Sequence, residues 1–281
     1  QFHDILPGSS IKEVYEDSKQ DYENVLAAGC EMAGNAQGAL LSEINLEEDS
    51  IVVFNTTGFH RFDVVITDIP CEDEFALFGI NGCEIPYQKT YDGKIVFVVG
   101  VPSKGYTSVA VRKCKPTAMR PVNATENAVS TPAFDLEFDE KFNISKLIHK
   151  ESGRNVAPCG ETVGKVIAYQ DRPHNHEAWD IKSYFEEKEF QLDFVGAEIV
   201  EQGAVRVVYK VDKKIRNSVI SAYYNVYADL DRIDVDYKTD WKETHVVLKG
   251  DYPVDVNAVK ATFDIQFGNI ERSTTTNTTW E

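Results

Sequence analysis

From Ser50 onward the apolar residues of this chain recur at every second position, and they do so almost to its end. A period of two belongs to strands whose side chains alternate between a buried face and a wet one, so most of the chain is committed to β structure. Segments 51–54, 62–66, 75–80, 94–99 and 106–111 read as strands, with Asn81-Gly82 and Asp92-Gly93 as hairpin-turn signals between them. A stretch rich in proline and small polar residues, 115–132, interrupts the pattern and reads as a linker. Longer strands follow: 134–138 with a return at 144–148, then 165–169, 187–194, 204–211, 218–227, 232–241, 245–252 and 261–267. So many long strands with one polar face imply a large antiparallel β-sandwich beside a smaller one. The expected organisation is therefore 1–46 helical, 47–114 a small β unit, 115–132 the linker and 133–281 the large sandwich.

The exception to the β pattern comes first. Residues 10–45 carry Ile11, Val14, Tyr15, Tyr22, Val25, Leu26, Ala33, Leu40, Leu41 and Ile44 at roughly helical spacing. Pro7-Gly8 makes a turn, Ser10 is placed as an N-cap, and Glu13 falls where a capping box wants a carboxylate. Gly29, Gly34 and Gly38 weaken the second half, each by about 1 kcal/mol relative to Ala. A single helix cannot bury such a stripe by itself.

Charge excludes one class of function. With 46 acidic and 29 basic residues the formal charge is −17, a surface that repels nucleic-acid phosphates. No apolar run approaches the ~20 residues of a membrane span. Cys30, Cys71, Cys83, Cys114 and Cys159 form no CxxC pair, and an odd, sparse set favours reduced thiols in the cytoplasm. Four Asn-X-Ser/Thr triplets, at Asn55, Asn123, Asn143 and Asn277, weigh little against that, because so short a pattern recurs by chance. The chain has no G-x-S-x-G, P-loop or G-x-G-x-x-G, which leaves acyl transfer, nucleotide hydrolysis and dinucleotide binding without support.

Two short constellations remain. His3 and Asp4 stand side by side before the helix. His174-Asn175-His176 offers two imidazoles two residues apart, with Glu177, Trp179 and Asp180 close behind. On a strand such a pair would share a face, but a lone HxH is weak evidence for a metal. Trp179 and Asp180 have two readings: a stacking ring and a hydrogen-bond acceptor in a ligand pocket, or core packing and a strand cap.

The words around these residues are more specific. "QFHDILPGSSIKEVYED" resembles the segment of the glycoside hydrolase family 38 α-mannosidases that carries the last ligand of their active-site metal. "VVFNTTGFHRFDVV" is close to the family's V-F-N-x-L-x-W-x-R, with Phe59 in place of the commoner Trp. "FDEKFNISKLIHKESGRNV" is similar to its F-D-E-x-G-x-I-x-S-L hairpin, "RPHNHEAWDI" to its D-A-W-D-I segment, and "YPVDVNAVKATFDIQFGNIER" to P-V-D-V…I-Q-F-G-x-I-E-R. Lys249 to Asp251 depart from the family's more apolar residues there. The motifs run in order along nearly the whole chain.

The resemblance implies that His3 is a ligand of one divalent ion, usually zinc, and that Asp4 contacts substrate. Phe2, where other members have His, points to the bacterial and cytosolic branch. The nucleophile, the general acid and the other metal ligands would lie upstream, so the chain reads as the C-terminal part of a retaining exo-α-mannosidase, inactive alone. Its helix would join a three-helix bundle, its β units would pack on the catalytic domain, and its ligands would be α-mannoside glycans. Trp179 and Asp180 would help shape the pocket. Self-association into a homo-oligomer stays open. The rival is a non-catalytic carbohydrate-binding or structural β module.

Overall fold

The computed structural model describes residues 8–69, 74–177, 179 and 181–275. It is mainly β, with several antiparallel sheets and one long helix at the N-terminus.

Helix α1 spans Lys12–Ser42. Its N-cap position is Ile11, which gives no side-chain hydrogen bond, so Ser10 does not cap it. Ser10 instead donates its backbone N–H to the Tyr15 hydroxyl at 3.3 Å. The first-turn N–H groups need no cap where water can reach them, and almost all of this helix is wet. Gly29, Gly34 and Gly38 remain helical, and a Cβ on any of them would meet nothing within 4 Å. Among the helix residues only Ser18 is buried, while Val25, Leu26, Met32 and Leu40 are exposed.

Seven strands follow: β1 (Ser50–Asn55), β2 (Arg61–Thr67), β3 (Ala76–Phe78), β4 (Glu84–Ile85), β5 (Tyr87–Lys89), β6 (Ile95–Val101) and β7 (Gly105–Arg112). They form two sheets, ordered β1-β7-β3-β4 and β2-β6-β5. Leu77 and Val109 of the first face Ile95, Phe97, Val99 and Val101 of the second, which makes a small sandwich. Both glycine turns form as the sequence suggested. Gly82 (φ +76°) joins β3 to β4 and Gly93 (φ +87°) joins β5 to β6.

The second unit begins earlier than its composition suggests. Strands β8 (Asn123–Ala124) and β9 (Ala128–Ser130) lie within the span read as a linker. They pair onward to β10 (Phe134–Phe138), β11 (Ile144–His149) and β12 (Arg154–Asn155) in one five-stranded sheet. Val122 and Val129 are core residues there, two apolar anchors too isolated to show a period. Strands β13 (Lys165–Gln170), β14 (Glu189–Phe190), β15 (Asp193–Gln202), β16 (Arg206–Ile215), β17 (Ser218–Tyr227), β18 (Ile233–Asp240) and β19 (Val246–Asp251) complete the sandwich. A last hairpin, β20 (Lys260–Ile265) and β21 (Gly268–Ser273), stands exposed.

One four-stranded sheet, β15-β16-β17-β18, carries the core. Val207, Tyr209 and Val211 of β16 and Ala222, Tyr224 and Val226 of β17 meet Val129, Leu136, Phe138 and Ile144. Further along the same face, Ile215 and Ile220 meet Ala168 of the sheet β14-β13-β19.

Strand β15 explains how the two units are joined. Its register with β16 slips between Ile199 and Glu201. Ile199 pairs Tyr209 on the core face, but Glu201 pairs Val208 on the opposite one. A period of two would have put Glu201 in the core, and the bulge turns it outward. There it receives Arg206 Nε (2.8 Å) and Arg206 Nη2 (3.0 Å), the Gln88 amide (2.7 Å) and the Tyr91 backbone N–H (3.1 Å). Gln88 Oε1 in turn accepts the backbone N–H groups of Val205 (2.7 Å) and Arg206 (3.0 Å). The small sandwich thus plugs one polar strand into the large one, and every buried side-chain donor and acceptor described has a partner.

Candidate functional site

His3, Asp4 and Asp180 lie outside the described residues. Trp179 is described, and it sits on a long excursion between β13 and β14. The mouth of this loop is closed by backbone bonds, Gln170 N–H to Lys188 O and Asp171 N–H to His245 O, both 2.9 Å. Inside, His176 takes a left-handed backbone (φ +58°) and its carbonyl accepts the Trp179 N–H at 3.1 Å, which makes a tight turn. His174 is held by Tyr184: its backbone N–H donates to the hydroxyl at 3.0 Å, and its Nδ1 is 3.1 Å from the same oxygen. A short 3-10 helix, Ser183–Glu187, leads back to β14, with Phe185 edge-on to Tyr169 and Lys249 Nζ 4.5 Å from the Phe185 ring centre.

This geometry bears on two of the readings above. The positive φ of His176 means that His174-Asn175-His176 is no strand, so the shared face on which an HxH metal site would rest is absent. Trp179 is 47% exposed and, among the described residues, lies outside the three hydrophobic clusters. His245 Nδ1 stands 3.6 Å from Glu177 Oε1, linking the loop to the start of β19.

Among the described residues one group of metal-capable side chains converges, His149, Glu151 and Asp231. His149 places Nδ1 2.9 Å from the Ser152 hydroxyl and Nε2 3.3 Å from Asp231 Oδ2, a polar contact that ties β11 to the β17–β18 turn. Asn55 and Asn143, two of the Asn-X-Ser/Thr triplets, are buried. Asn55 donates to the carbonyls of Phe59 (2.8 Å) and Pro102 (2.9 Å) and accepts from Thr57, which makes it a structural bracket.

The residues that local patterns could not reveal are Gln88, Glu201, Arg206 and the buried Lys213. Gly203 is the one local hint, since a Cβ there would lie 2.4 Å from Gln88 Oε1.

With this architecture in view, the comparisons with known proteins agree with one another. The structure is similar to that of an α-mannosidase from Enterococcus faecalis V583, with a TM-score of 0.73 over 96% of this chain and 39% of that one, at 12% identity. That likeness concerns the fold. In sequence the chain is 27% identical to Alpha-mannosidase G of Dictyostelium discoideum and 26% identical to Alpha-mannosidase 2C1 of Homo sapiens. Both alignments take in 100% of this chain but only 29% and 26% of those proteins. The model of the alpha mannosidase middle domain matches residues 1–40. The model of the glycosyl hydrolases family 38 C-terminal domain matches residues 129–281, more than half the chain, and the chain therefore belongs to glycosyl hydrolase family 38.

Proposed function

We propose that these 281 residues serve as the C-terminal part of a retaining, metal-dependent exo-α-mannosidase acting on α-mannoside glycans in the cytoplasm. The observation that carries this is coverage: relatives named as α-mannosidases align with the chain end to end, yet it spans only about a quarter of their length. In this reading the two catalytic carboxylates of a retaining glycosidase lie outside the chain. His3 gives one imidazole ligand to a zinc ion, which when bound supplies Lewis-acid polarisation of sugar hydroxyls. A site that joins this imidazole to nitrogen and oxygen donors from outside the chain suits zinc, and Asp4 accepts a hydrogen bond from the bound sugar. Trp179, standing exposed, offers its ring to the sugar, and Asp180 accepts a second hydroxyl. The bare stripe of α1 packs on partner helices of a three-helix bundle, and the β units brace the catalytic domain.

The test uses the full-length parent and the 281-residue chain in parallel. The parent should release nitrophenol from a nitrophenyl α-mannoside and the chain alone should not. His3→Ala in the parent should lose zinc, while Asp4→Asn should keep it and lose about 10²–10³ in turnover. Full zinc occupancy in the His3 variant refutes the ligand assignment. A parent without glycosidase activity that still binds mannosides favours the carbohydrate-binding alternative.

A further inference from the structure

Lys213 of β16 is charged in water, yet here it is 7% exposed. Its Nζ donates to Asn143 Oδ1, a neutral amide oxygen. The carboxylate that acts on it through space, Asp139, is committed elsewhere: it takes the Asn143 and Lys141 backbone N–H groups, both at 2.8 Å, and the Asn143 Nδ2. Among the described residues no carboxylate forms an ion pair with Lys213. Burial, the largest cause, and then Lys165 and Lys141 disfavour its ammonium form and push its pKa below the ordinary 10.5, against the pull of Asp139.

The same lysines border a small cavity of about 50 Å³. Lys141, Asn143, Lys165, Glu189, Gln191 and Lys213 supply its polar lining, with apolar walls that include Val166 and Phe190. Glu189 stands 3.8 Å from Lys165 and offsets part of that charge. At roughly 10–15 Å³ for each water-sized atom, the space takes about three to five atoms. A three-atom carboxylate fits.

A buried amine biased toward its neutral form is a nucleophile, and two flanking cations stabilise an anion formed on it. We propose that Lys213 is a carbamylation site, at which the amine reversibly adds carbon dioxide and the product anion occupies the cavity between Lys141 and Lys165. The nitrogen lone pair attacks the carbon of CO₂ and forms an N–C bond. One C=O electron pair moves onto oxygen, and the nitrogen gives up a proton to solvent. Nothing is oxidised or reduced. The buried amine, whose ammonium form has no ion-pair partner among the described residues, becomes an anion flanked by two cations, which removes the conflict that the fold otherwise builds in.

The test is ¹³C NMR of the whole 281-residue chain equilibrated with ¹³C-bicarbonate near neutral pH, followed by alkylative trapping and peptide mass spectrometry. A protein carbamate resonance is expected, with the trapped carboxyl located on Lys213. Lys213→Arg should lose that resonance, and Lys141→Gln or Lys165→Gln should diminish it. Absence of the resonance overturns the proposal. So does trapping confined to the terminal amine or to surface lysines. If Lys213→Arg does not fold, the location of the trapped group in the unaltered protein decides the matter by itself.

Discussion

Replacing Glu201 by Ala isolates the energetics of the junction between the two sandwiches. Glu201 and Arg206 meet through two hydrogen bonds, at 2.8 and 3.0 Å, with side chains 2% and 6% exposed. At an effective dielectric of about 20 a pair near 4 Å gains roughly 4 kcal/mol, and the several kcal/mol of desolvation per ion largely cancels it. The intact pair is therefore worth little net. Breaking it is another matter, because a buried guanidinium without its partner costs about 3–5 kcal/mol. Glu201→Ala also strands the Tyr91 N–H and one bond of the Gln88 amide. For a protein of this size, that loss should lower the melting temperature by roughly 6–20 °C, at about 2–4 °C per kcal/mol. Glu201→Leu combined with Arg206→Met removes both charges and should recover most of it, leaving Gln88 bonded to the Arg206 and Val205 backbone positions. Urea unfolding followed by circular dichroism and tryptophan fluorescence measures all the variants. The reasoning is refuted if Glu201→Ala costs less than about 1 kcal/mol, or if the double variant costs the sum of the two single ones.

Three further outcomes can be checked by the same means. Gly203→Ala should destabilise by about 1–3 kcal/mol through overpacking against Gln88, and the added cost should shrink in a Gln88→Ala background. Phe142 holds φ +55° while stacking on Phe138 at 4.9 Å and Phe194 at 5.9 Å, in a hairpin whose family motif has Gly there. Phe142→Gly should therefore cost less than Phe142→Ala in denaturant titration, because only Gly escapes the backbone strain when the ring contacts are lost. Burial pushes the Asp212 carboxyl up, but hydrogen bonds from Lys210 (2.8 Å) and Ser221 (2.5 Å) prevail and hold it below the usual 3.8. Its stabilisation is complete above about pH 3.8 and is lost as pH falls through the lowered value. Ser221→Ala and Lys210→Met should thus move the midpoint of acid unfolding upward.

Much of this protein is legible in its residues because the relevant signals are local. Alternation needs only neighbours, so the strands at 51–54, 106–111 and 218–227 and the turns at Gly82 and Gly93 can be read without a fold. The family motifs are local too, and their order along the chain identifies it before any sheet is built. Strand β15 escapes that reading: charged Glu198 and Glu201 break the hydrophobic pattern, and two slips in its register break the period. The short β8 and β9 pass for a linker because each owes its place to pairing with a neighbour and to one buried valine, not to a periodic run. Ser10 looks like a cap, but whether a helix end needs one depends on how much water reaches it. Tertiary structure alone decides which face a residue takes and what it meets. Gln88 reaches Glu201 across 113 positions, a single bulge turns that glutamate out of the core, and Lys213 becomes a buried amine only when the 139–143 turn closes over it. The Gln88–Glu201 and Lys213–Asn143 contacts are long-range, and no local window of sequence contains both partners.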